Sequence, residues 1–437
     1  MTDRRVALIH LGCAKNLVDS EAMLGRVLGP GVSLTTTPGE ADVVIVNTCS
    51  FIGPSKKESV DAILEAARLK QEGRCERLIV AGCMVERYRD ELASEIPEVD
   101  AFVAANDIPR IAEVAFGELA PERNTEPEYV YDFEAPRVLS TPAGTAYVKI
   151  ADGCDHACSF CAIPRIRGRL RSRAVARIAG EVRDLVARGV LEVNLVSHDT
   201  TDYGRDLGMR DGLATLLDAL RQIPGLAWLR VLYLYPTNLS ARVIAMLGEG
   251  APLLPYFDVP LQHAHPKVLR SMARGLSVER TVERIRATVP GASIRTTLIV
   301  GYPGEGDEEF AALERFVAAS RFDRVGVFTF SFEEGVPAEP LADPIPERVK
   351  RARRKRLMEV QRRVSLEKNR ALVGTTGPCL LLGLRDGRRP LWGRLPSQAP
   401  EVDGIVAVSA APDVPFPAIV DVAITGAGAY DLTARVA

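Results

Sequence analysis

The sequence contains no long run of hydrophobic residues, and this absence excludes a membrane-spanning helix. The first residues, MTDRRVALIHLGC, also lack the apolar stretch of a signal peptide. We therefore expect a cytoplasmic protein with no membrane partner. In that reducing compartment the eight cysteines should be thiols, metal ligands or catalytic groups rather than disulfides.

The chain also lacks an excess of either charge, because 55 Lys and Arg residues oppose 57 Asp and Glu residues and leave a formal net charge of −2. Composition thus gives no electrostatic case for a nucleic-acid-binding protein. Low-complexity segments are absent as well. With 437 residues, 47% of them hydrophobic, the sequence is typical of a globular protein of about two to four domains.

Residues 1–120 alternate between predicted strands and helices. Three apolar segments predict strands (RVALIHLGC, ADVVIVNTC and RLIVAGC), and two segments with helical spacing separate them (NLVDSEAMLGRVLG and SKKESVDAILEAARLK). This alternation favours a parallel sheet covered by helices. Cys13, Cys49 and Cys83 each follow one of the strands directly, and parallel strands align their carboxyl ends along one edge. We therefore expect the three cysteines to meet at that edge.

A polar, proline-containing segment, residues 121–142, is interpreted as a linker. Residues 143–372 then contain six predicted strands: AYVKIADGC, LEVNLVSHD, LRVLYLYP, YFDVPLQH, SIRTTLIVGYP and DRVGVFTFS. Six βα units favour a partial barrel, with chemistry expected at the carboxyl ends of its strands. The last part of this region, PERVKRARRKRLMEVQRRVSLEKNRALVG, is a strongly basic helical segment whose charges we interpret as a solvated face.

Residues 373–437 have a different texture, with short apolar runs broken by glycine and proline (CLLLGL, IVAVSA, AIVDVAIT and YDLTARV). Such runs predict a small all-β barrel. The predicted fold class is therefore α/β. It combines an N-terminal parallel α/β domain, a central partial (β/α)6 barrel and a C-terminal small all-β barrel.

Three cysteines, Cys154, Cys158 and Cys161, follow the first barrel strand in the segment GCDHACSFCAIP. A zinc site normally closes with four ligands, and His156, inside the loop, is badly placed to be the fourth. A four-iron cluster held by three cysteines keeps one iron open to a substrate or cofactor. Three buried structural cysteines are the alternative, but one short loop could not bury them all. The spacing thus predicts an iron–sulfur cluster with an open iron.

With this C-x3-C-x2-C loop after a strand, the sequence resembles the radical S-adenosylmethionine (SAM) enzymes. The resemblance implies that SAM binds the open iron and that reduction of the cluster cleaves SAM to a 5′-deoxyadenosyl radical. Phe160 matches the family's aromatic position near the adenine, although a core position would also explain it. Gly301, Gly304 and Glu305, in TTLIVGYPGE, match a strand that supports the adenosine, and a common glycine-rich turn is the alternative.

The N-terminal cysteines extend the resemblance to the methylthiotransferases, radical SAM enzymes with an N-terminal cluster domain and a C-terminal TRAM domain. LGCAKNLVDSE, VIVNTCSFI, VAGCMVERY and YVKIADGCDHACSFCAIPRIRG are similar to the RimO-type branch, which modifies an aspartate of ribosomal small-subunit protein twelve. The tRNA-modifying branch more typically carries GCQMN in the first of these segments. Ala14 stands where the RimO-type branch usually has proline, a departure that concerns loop stiffness rather than ligation.

This resemblance implies two 4Fe–4S clusters, whose ligands would be Cys13, Cys49 and Cys83 for one and Cys154, Cys158 and Cys161 for the other. The implied reaction attaches a methylthio group to an unactivated carbon, the β-carbon of an aspartate. Acid–base or nucleophilic catalysis would not suffice there, whereas a carbon-centred radical would. A second cluster could store the sulfur, and a second SAM would supply the methyl group. The implied partners are ribosomal small-subunit protein twelve and an electron donor such as flavodoxin or ferredoxin.

Other polar residues are candidates for the site. Five arginines in RIRGRLRSR would share one face of an extended chain: Arg165, Arg167, Arg169, Arg171 and Arg173. Arg165 and Arg167 could then bind the carboxylates of SAM and of the substrate, or the segment could be an exposed basic strand. Further candidates follow the second and fourth barrel strands: His198, Asp199, Gln262 and His263. Cys75 and Cys379 lie outside every motif and are interpreted as ordinary thiols.

The C-terminal segment gives a criterion for the substrate that does not depend on the resemblance. Residues 373–437 contain five arginines, no lysine and six acidic residues, which leaves a net charge of −1 (5 − 6). RNA binding needs a positive surface, so a basic ribosomal protein is favoured as the partner and RNA contact is not. Two alternatives stay open: a tRNA adenosine methylthiotransferase, and a non-enzymatic iron–sulfur scaffold or electron carrier.

Overall fold

A computed structural model describes residues 4–73, 75–121, 126–134, 136–276, 278–342, 345–385, 387–409 and 414–437. The first two units of the chain have parallel strands, because a helix returns the chain to the same edge of the sheet after each strand. The third unit is built mainly from antiparallel strands. None of the helices in the described ranges has the length and apolar character needed to cross a membrane.

The N-terminal unit is a parallel sheet covered by helices. Its strands are β1 (Arg4–His10), β2 (Val32–Leu34), β3 (Val43–Thr48), β4 (Arg77–Gly82) and β5 (Ala101–Val103). Its helices are α1 (Ala14–Val27), α2 (Gly53–Glu72), α3 (Cys83–Glu95) and α4 (Ile111–Ala115), with two 3-10 turns (Pro38–Glu40 and Ala105–Arg110). The strand order is β2-β1-β3-β4-β5. The predicted strands and helices are all present, and β2 and β5 add short edges.

The central unit is the partial barrel predicted from the sequence. Its strands are β6 (Thr145–Lys149), β7 (Ala151–Asp152), β8 (Arg171–Ser172), β9 (Glu192–Val196), β10 (Trp228–Val231), β11 (Tyr256–Asp258), β12 (Ser293–Val300) and β13 (Arg324–Thr329). Strands β7 and β8 form an antiparallel pair around the cysteine loop. The other six form two parallel sheets, β10-β9-β6 and β11-β12-β13, which a bridge between Leu229 and Leu253 connects. All six predicted strands are confirmed.

Eight helices belong to the central unit: α5 (Ile163–Arg167), α6 (Val175–Ala187), α7 (Gly212–Leu220), α8 (Ala241–Leu247), α9 (Pro266–Ser271), α10 (Val278–Thr288), α11 (Asp307–Ser320) and α12 (Glu347–Ala371). The basic helix α12 is solvated on only part of its surface. Its buried residues recur every three to four positions and so form one packed face: Lys350, Arg353, Leu357, Gln361, Val364, Ser365 and Asn369. The interpretation of this segment as a purely solvated face was therefore incomplete.

The C-terminal unit is a closed five-stranded barrel. Its strands are β14 (Thr376–Arg385), β15 (Arg388–Arg394), β16 (Val406–Ser409), β17 (Ala418–Ala427) and β18 (Leu432–Val436), in the order β14-β15-β16-β18-β17. The apolar runs in the sequence predicted four of these strands. The sequence of β15, RRPLWGR, escaped that pattern because arginine, proline and glycine interrupt its apolar residues.

A buried ionic network joins the C-terminal barrel to the central unit. Glu192, the first residue of β9, accepts hydrogen bonds from Arg230 Nη2 (3.0 Å) and Arg394 Nη1 (3.1 Å). Arg394 also donates to Thr145 Oγ1 at 2.9 Å. Although burial raises the pKa of Glu192, the two guanidinium groups outweigh it and hold that pKa at about 2. Glu192 is therefore charged and fully paired at neutral pH.

The segment predicted to be a linker packs between the first two units. Its described residues, 121, 126–134 and 136–142, form neither helix nor strand. Arg137 is nevertheless buried, and it donates to Glu21 Oε2 (2.6 Å) in α1 and to Glu181 Oε1 (2.6 Å) in α6. These bonds fix the segment against both neighbours.

Candidate active site

The N-terminal cysteine trio (Cys13, Cys49 and Cys83) lies at one edge of the sheet. Cys13 precedes α1, Cys49 follows β3, and Cys83 begins α3 directly after β4. Because β1, β3 and β4 are neighbours, their carboxyl ends bring the three cysteines together. Gly12 allows the first two loops to touch: its φ is +100°, and a Cβ there would lie 3.0 Å from Cys49 Cβ.

Polar side chains bind the three cysteine loops to one another. Thr48 Oγ1 donates to Ala81 O (2.6 Å) and accepts from Met84 N (3.3 Å), which joins the second loop to the third. Ser50 Oγ donates to Cys83 O at 2.9 Å. Asn16 Nδ2 donates to the backbone oxygens of the first and second loops. The trio is thus held by hydrogen bonds as well as by strand pairing.

The barrel cysteine trio (Cys154, Cys158 and Cys161) lies in the loop between β7 and α5, at the carboxyl end of the first barrel strand. Burial, together with the negative charges of Cys158 and Cys154, raises the pKa of Cys161 to about 12. In the N-terminal trio, burial and the charge of Cys83 raise the pKa of Cys49 to about 11. The mutual effects show that the thiols within each trio share one site.

The spacing of the sulfurs fits iron–sulfur clusters better than single ions. Among the residues that the structure describes, only His156, Asp199 and Asp202 place three ligand atoms within 4.8 Å of one another. Neither cysteine trio is therefore gathered tightly enough for one tetrahedral ion. A four-iron cluster binds each thiolate through a different iron and accepts sulfurs that are farther apart. The donor sets, thiols only, match that cluster.

His156 binds side chains outside its own loop. Its Nε2 lies 2.5 Å from Asp199 Oδ2, and its ring stacks on Tyr235 with centroids 3.8 Å apart. Asp199 also accepts from the backbone N–H of Thr201 at 2.8 Å, and Asp202 accepts from Asn238. The cluster of His156 with two aspartates is therefore a hydrogen-bonded support of the loop. Asp199, a candidate from the sequence, contributes to it.

Two residues that the sequence did not single out lie beside Cys158. Arg274 Nη1 is 3.5 Å from Cys158 Sγ, and Tyr235 Oη is 4.0 Å from the same sulfur. The Arg274 guanidinium also lies 4.0 Å from the centre of the Tyr235 ring. Tyr235 follows the third barrel strand, so the rule that chemistry gathers at strand ends would have found it. Arg274 follows α9 and carried no such signal.

Gly301, Gly304 and Glu305, the candidates in the later glycine-containing strand, lie in a turn that hydrogen bonds stabilise. Gly301 has φ +77°, and its N–H donates to Glu305 Oε1 at 3.0 Å. Glu305 is buried and also binds Arg353 Nη1 (2.7 Å) and His263 Nε2 (3.2 Å). Its carboxylate is therefore saturated by the protein, and His263 is one of its partners. Gly304, with φ +88°, has open space where a Cβ would lie.

The remaining candidates occupy different surroundings. Phe160 is half-buried and packs against the apolar cluster that contains Ile166 and Tyr302, as the core alternative expects. His198 is buried, with Nδ1 3.4 Å from Asp152 Oδ1. Gln262, with φ +72°, forms a parallel bridge with β12 through backbone atoms.

The predicted arginine face is not formed. Residues 163–167 are the helix α5, and Gly168 reverses the chain with φ +69°, so the alternation of an extended strand does not apply. Arg165 is exposed, whereas Arg167 and Arg173 are buried. Arg173 pairs with Glu181 at 2.7 Å. Neither the shared face nor the alternative of an exposed basic strand describes this segment.

Arg167 connects the two cysteine trios. Its Nη1 donates to Asp19 Oδ2 at 2.8 Å, and its Nη2 lies 3.3 Å from Cys83 Sγ. Since α5 directly follows the barrel cysteine loop, the barrel trio and the N-terminal trio are adjacent. The carboxylates that neutralise Arg167 belong to the protein, Asp19 and Asp152. The binding of a carboxylate of SAM or substrate by Arg167 stays a prediction.

The motif LGCAKNLVDSE contributes several residues to the boundary between the N-terminal sheet and the barrel. Asp19 pairs with Lys149 as well as Arg167, and Asn16 Oδ1 accepts from Arg167 Nη2 at 3.1 Å. Glu21 binds Arg137 in the intervening segment. The sequence analysis missed these roles. A run of polar residues on a helix that is otherwise apolar was the available signal.

Family models match three parts of the chain. The Uncharacterized protein family UPF0004 matches residues 5–104, the Radical SAM superfamily matches residues 148–317, and the TRAM domain matches residues 373–437. The last two are the families that the sequence resemblance named. Each cysteine trio lies within one matched region.

Curated relatives match nearly the whole chain. One, from Solibacter usitatus (strain Ellin6076), is 47% identical over 411 residues, which cover 93% of this chain and 88% of that protein. Another, from Geotalea uraniireducens (strain Rf4), is 44% identical over 440 residues, which cover 99% of this chain and 98% of that protein. Both carry the name ribosomal protein uS12 methylthiotransferase RimO.

A solved structure resembles the overall arrangement. It is the radical S-adenosylmethionine methyltransferase TsrM from Kitasatospora setae, solved with cobalamin and a 4Fe–4S cluster bound. The TM-score is 0.55 at 17% sequence identity, over 78% of this chain and 77% of that chain. At this identity the similarity supports the radical SAM fold alone.

Proposed function

The chain belongs to the RimO family of ribosomal protein uS12 methylthiotransferases, and from this membership we propose that it transfers a methylthio group to the β-carbon of an aspartate in uS12. It is a radical SAM enzyme that uses SAM and 4Fe–4S clusters. The observation that carries the proposal is the adjacency of two three-cysteine sites. Arg167, which follows the barrel trio, lies 3.3 Å from the Sγ of Cys83 in the N-terminal trio. Radical generation and sulfur transfer need such neighbouring sites.

Each trio is assigned one cluster in this proposal. Cys154, Cys158 and Cys161 hold the cluster that binds SAM. The N-terminal ligands are Cys13, Cys49 and Cys83. When bound, SAM at the barrel cluster would supply the radical for hydrogen abstraction, the N-terminal cluster would supply sulfur, and a second SAM would supply the methyl group. The protein's own part is to hold the trios in register and to exclude water from the space between them.

The surroundings of the trios support this assignment. Arg274 and Tyr235 lie beside Cys158, and their ring and guanidinium shield that side of the barrel trio. Asp19, Lys149 and Arg167 close the boundary next to Cys83 with buried ion pairs. Although burial opposes it, the charges of Lys149 and Arg167 hold the pKa of Asp152 far below its ordinary value. Asp152 therefore stays ionised at this boundary.

Further features of the proposal concern the setting of the reaction. The boundaries at residues 120, 142 and 372 divide the chain into the cluster domain, the linker, the radical SAM barrel and the C-terminal barrel. A flavodoxin or ferredoxin is proposed as the electron donor. A cytoplasmic location suits this proposal, since both the cluster ligands and the two remaining thiols, Cys75 and Cys379, require a reducing compartment. The alternatives, tRNA modification and a non-enzymatic iron–sulfur carrier, are not favoured by the family to which the chain belongs.

The test is a competition between two substrates. Anaerobically reconstituted protein is incubated with SAM, dithionite, purified uS12 and tRNA, and both acceptors are analysed by mass spectrometry. We expect a methylthio increment on one uS12 aspartate and release of 5′-deoxyadenosine. An increment on tRNA alone would overturn the choice of substrate. Absence of 5′-deoxyadenosine would overturn the enzyme in favour of an electron carrier.

A further inference from the structure

Lys15 is a buried cation at the boundary between the N-terminal sheet and the barrel. It lies in the first turn of α1, two residues after Cys13, and only 7% of its surface is exposed. Its Nζ is 3.3 Å from the centre of the Tyr233 ring, just beyond the carboxyl end of β10. The side chain thus reaches from the N-terminal trio into the mouth of the barrel.

The backbone conformation of Tyr233 sets the position of the ring against which the Lys15 ammonium group lies. Tyr233 has φ 61°, a left-handed conformation that bulky residues rarely adopt, and its N–H donates to Asp258 Oδ2 at 3.0 Å. Strain of this kind persists only where the surrounding structure imposes it, and it concentrates at functional sites. The ring face attracts the ammonium group but does not neutralise its charge.

Lys15 differs from the other buried cations of this boundary in having no carboxylate partner. Lys149 and Arg167 share Asp19 and Asp152. In the part of the chain that the structure describes, no carboxylate oxygen lies within 4.0 Å of Lys15 Nζ. A buried charge without a counter-ion is unfavourable. The position is therefore suited to an anion from outside the chain.

The acid across the barrel mouth is already engaged. Asp258 acts on Lys15 electrostatically, but its Oδ1 accepts from Arg295 Nη1 (3.0 Å) and its Oδ2 accepts from the backbone of Tyr233. It thus has a cation of its own. Cys13, two residues before Lys15, also acts on Lys15 through its negative charge, but the proposed function uses that thiolate as a cluster ligand. Both groups therefore have partners of their own.

We propose that Lys15 binds the side-chain carboxylate of the aspartate that is modified, an inference that rests on the proposed function. The carboxylate carbon of aspartate is bonded directly to the β-carbon. A carboxylate at a distance of about 2.7–2.9 Å from Nζ therefore keeps the β-carbon beside the N-terminal trio, where sulfur is needed. Arg274, next to Cys158, is the cation nearer to the expected SAM site. The carboxylates of substrate and of SAM then have separate cations.

The test replaces Lys15 by methionine, which has a similar length and no charge. Protein carrying both clusters, kept without reductant so that no turnover occurs, is titrated anaerobically with uS12 and with uS12 in which the target aspartate is asparagine. The unchanged protein should bind native uS12 about 10- to 100-fold more tightly than the asparagine form. Lys15→Met should bind both forms alike. Its iron content should equal that of the unchanged protein.

The control is Lys57→Met, which removes a lysine from the exposed surface of α2 and should keep the full discrimination. Three results would overturn the inference: retained discrimination in Lys15→Met, loss of iron from that variant, or weaker SAM binding with unchanged uS12 binding. The second would make Lys15 a support of the cluster, and the third a SAM ligand. Failure of the unchanged protein to modify uS12 would instead overturn the proposed function.

Discussion

The two cysteine trios reach similar arrangements by different routes. The barrel trio comes from one loop, in which Cys154 and Cys161 are seven positions apart (161 − 154). The N-terminal trio comes from three loops, with Cys13 and Cys49 separated by 36 positions (49 − 13). Only the pairing of β1, β3 and β4 unites those loops. A metal site built by a loop depends on local conformation, whereas one built at a sheet edge depends on the whole domain.

The supports of the two trios differ accordingly. The barrel loop is held by side chains that pack on it from the barrel, such as Tyr235 under His156. The N-terminal loops are held by hydrogen bonds to each other's backbone, as Thr48 illustrates. We infer that substitutions in the N-terminal sheet loosen one iron site selectively, while the barrel loop tolerates them.

The largest effect is expected from removing one ligand of each trio. Cys158→Ala and Cys49→Ala should each lower the iron content from about eight to about four per chain, because each loses one cluster. Cys158→Ala should abolish 5′-deoxyadenosine release. Cys49→Ala should retain that release but form no methylthio product. Iron analysis and product chromatography measure the three quantities.

Cys75→Ala is the matched control for the ligand variants, since Cys75 is a buried thiol of the N-terminal unit outside the trio. It should keep the full iron content and both activities. Two results together would show that the protein holds only one cluster: about four irons per chain in the reconstituted protein, and unchanged iron content and activity in Cys49→Ala. The comparison of two cluster sites would then be wrong.

A second prediction concerns global stability, which should affect both trios equally. Glu192→Gln leaves Arg230 and Arg394 without their buried counter-ion, and removing one partner of such a network costs about 3–5 kcal/mol. The unfolding midpoint should fall, and iron should leave both sites together. The fluorescence of Trp228, the strand partner of Glu192, and of Trp392 in β15 reports the transition.

The same substitution tests how the stability of the protein depends on pH. The pKa of Glu192 is about 2 in the folded protein, below its ordinary value of 4.5. A carboxyl with a depressed pKa contributes stability above about pH 4.5 and loses it as the pH falls toward 2. The Glu192→Gln variant should therefore lack this component of the acid destabilisation. If the free energy of unfolding changed with pH equally in the variant and in the unchanged protein, the low pKa assigned to Glu192 would be contradicted.

The substitution with the smallest expected effect should act on the N-terminal iron site alone. Thr48→Val leaves Met84 N–H and Ala81 C=O without their partner between the second and third loops, a loss of about 1–3 kcal/mol. Iron should leave the N-terminal site for a chelator about tenfold faster, while the barrel site is unchanged. Each site is followed separately by combining Thr48→Val with one of the ligand variants. Cys158→Ala keeps only the N-terminal cluster, Cys49→Ala keeps only the barrel cluster, and spectra of the two double variants record the iron release.

Thr296→Val is a close control for this substitution. Thr296 is also fully buried, donates to a backbone oxygen (Val259, 2.8 Å) and accepts a backbone N–H (Leu261, 3.2 Å), but it lies in β12 and binds the segment that follows β11. It should cost similar stability without faster iron release from the N-terminal site. If iron left the N-terminal site equally fast in both variants, the N-terminal cysteine loops would not depend specifically on the hydrogen bonds of Thr48.

Much of the fold was predictable because it rests on periodic patterns. The six barrel strands and the three cysteine-bearing strands of the N-terminal sheet are apolar runs bounded by turns. The pattern failed for β15, where polar residues interrupt the run, and for α12, where positive charges obscure a buried face. In both cases tertiary packing, rather than the local sequence, decides which residues are buried.

Spacing and hydrophobic periodicity are local properties of the chain, and they were enough to predict the two trios of cysteines and the strands that carry them. Which cations are neutralised within the protein follows instead from how the chain folds. Arg167 was expected to face a ligand, yet Asp19, 148 positions away, pairs with it. Lys15 was not a candidate from the sequence, yet it reaches the barrel, and none of the described residues places a carboxylate oxygen within 4.0 Å of its Nζ. Charge pairing depends on distances between remote residues, and no local pattern encodes them.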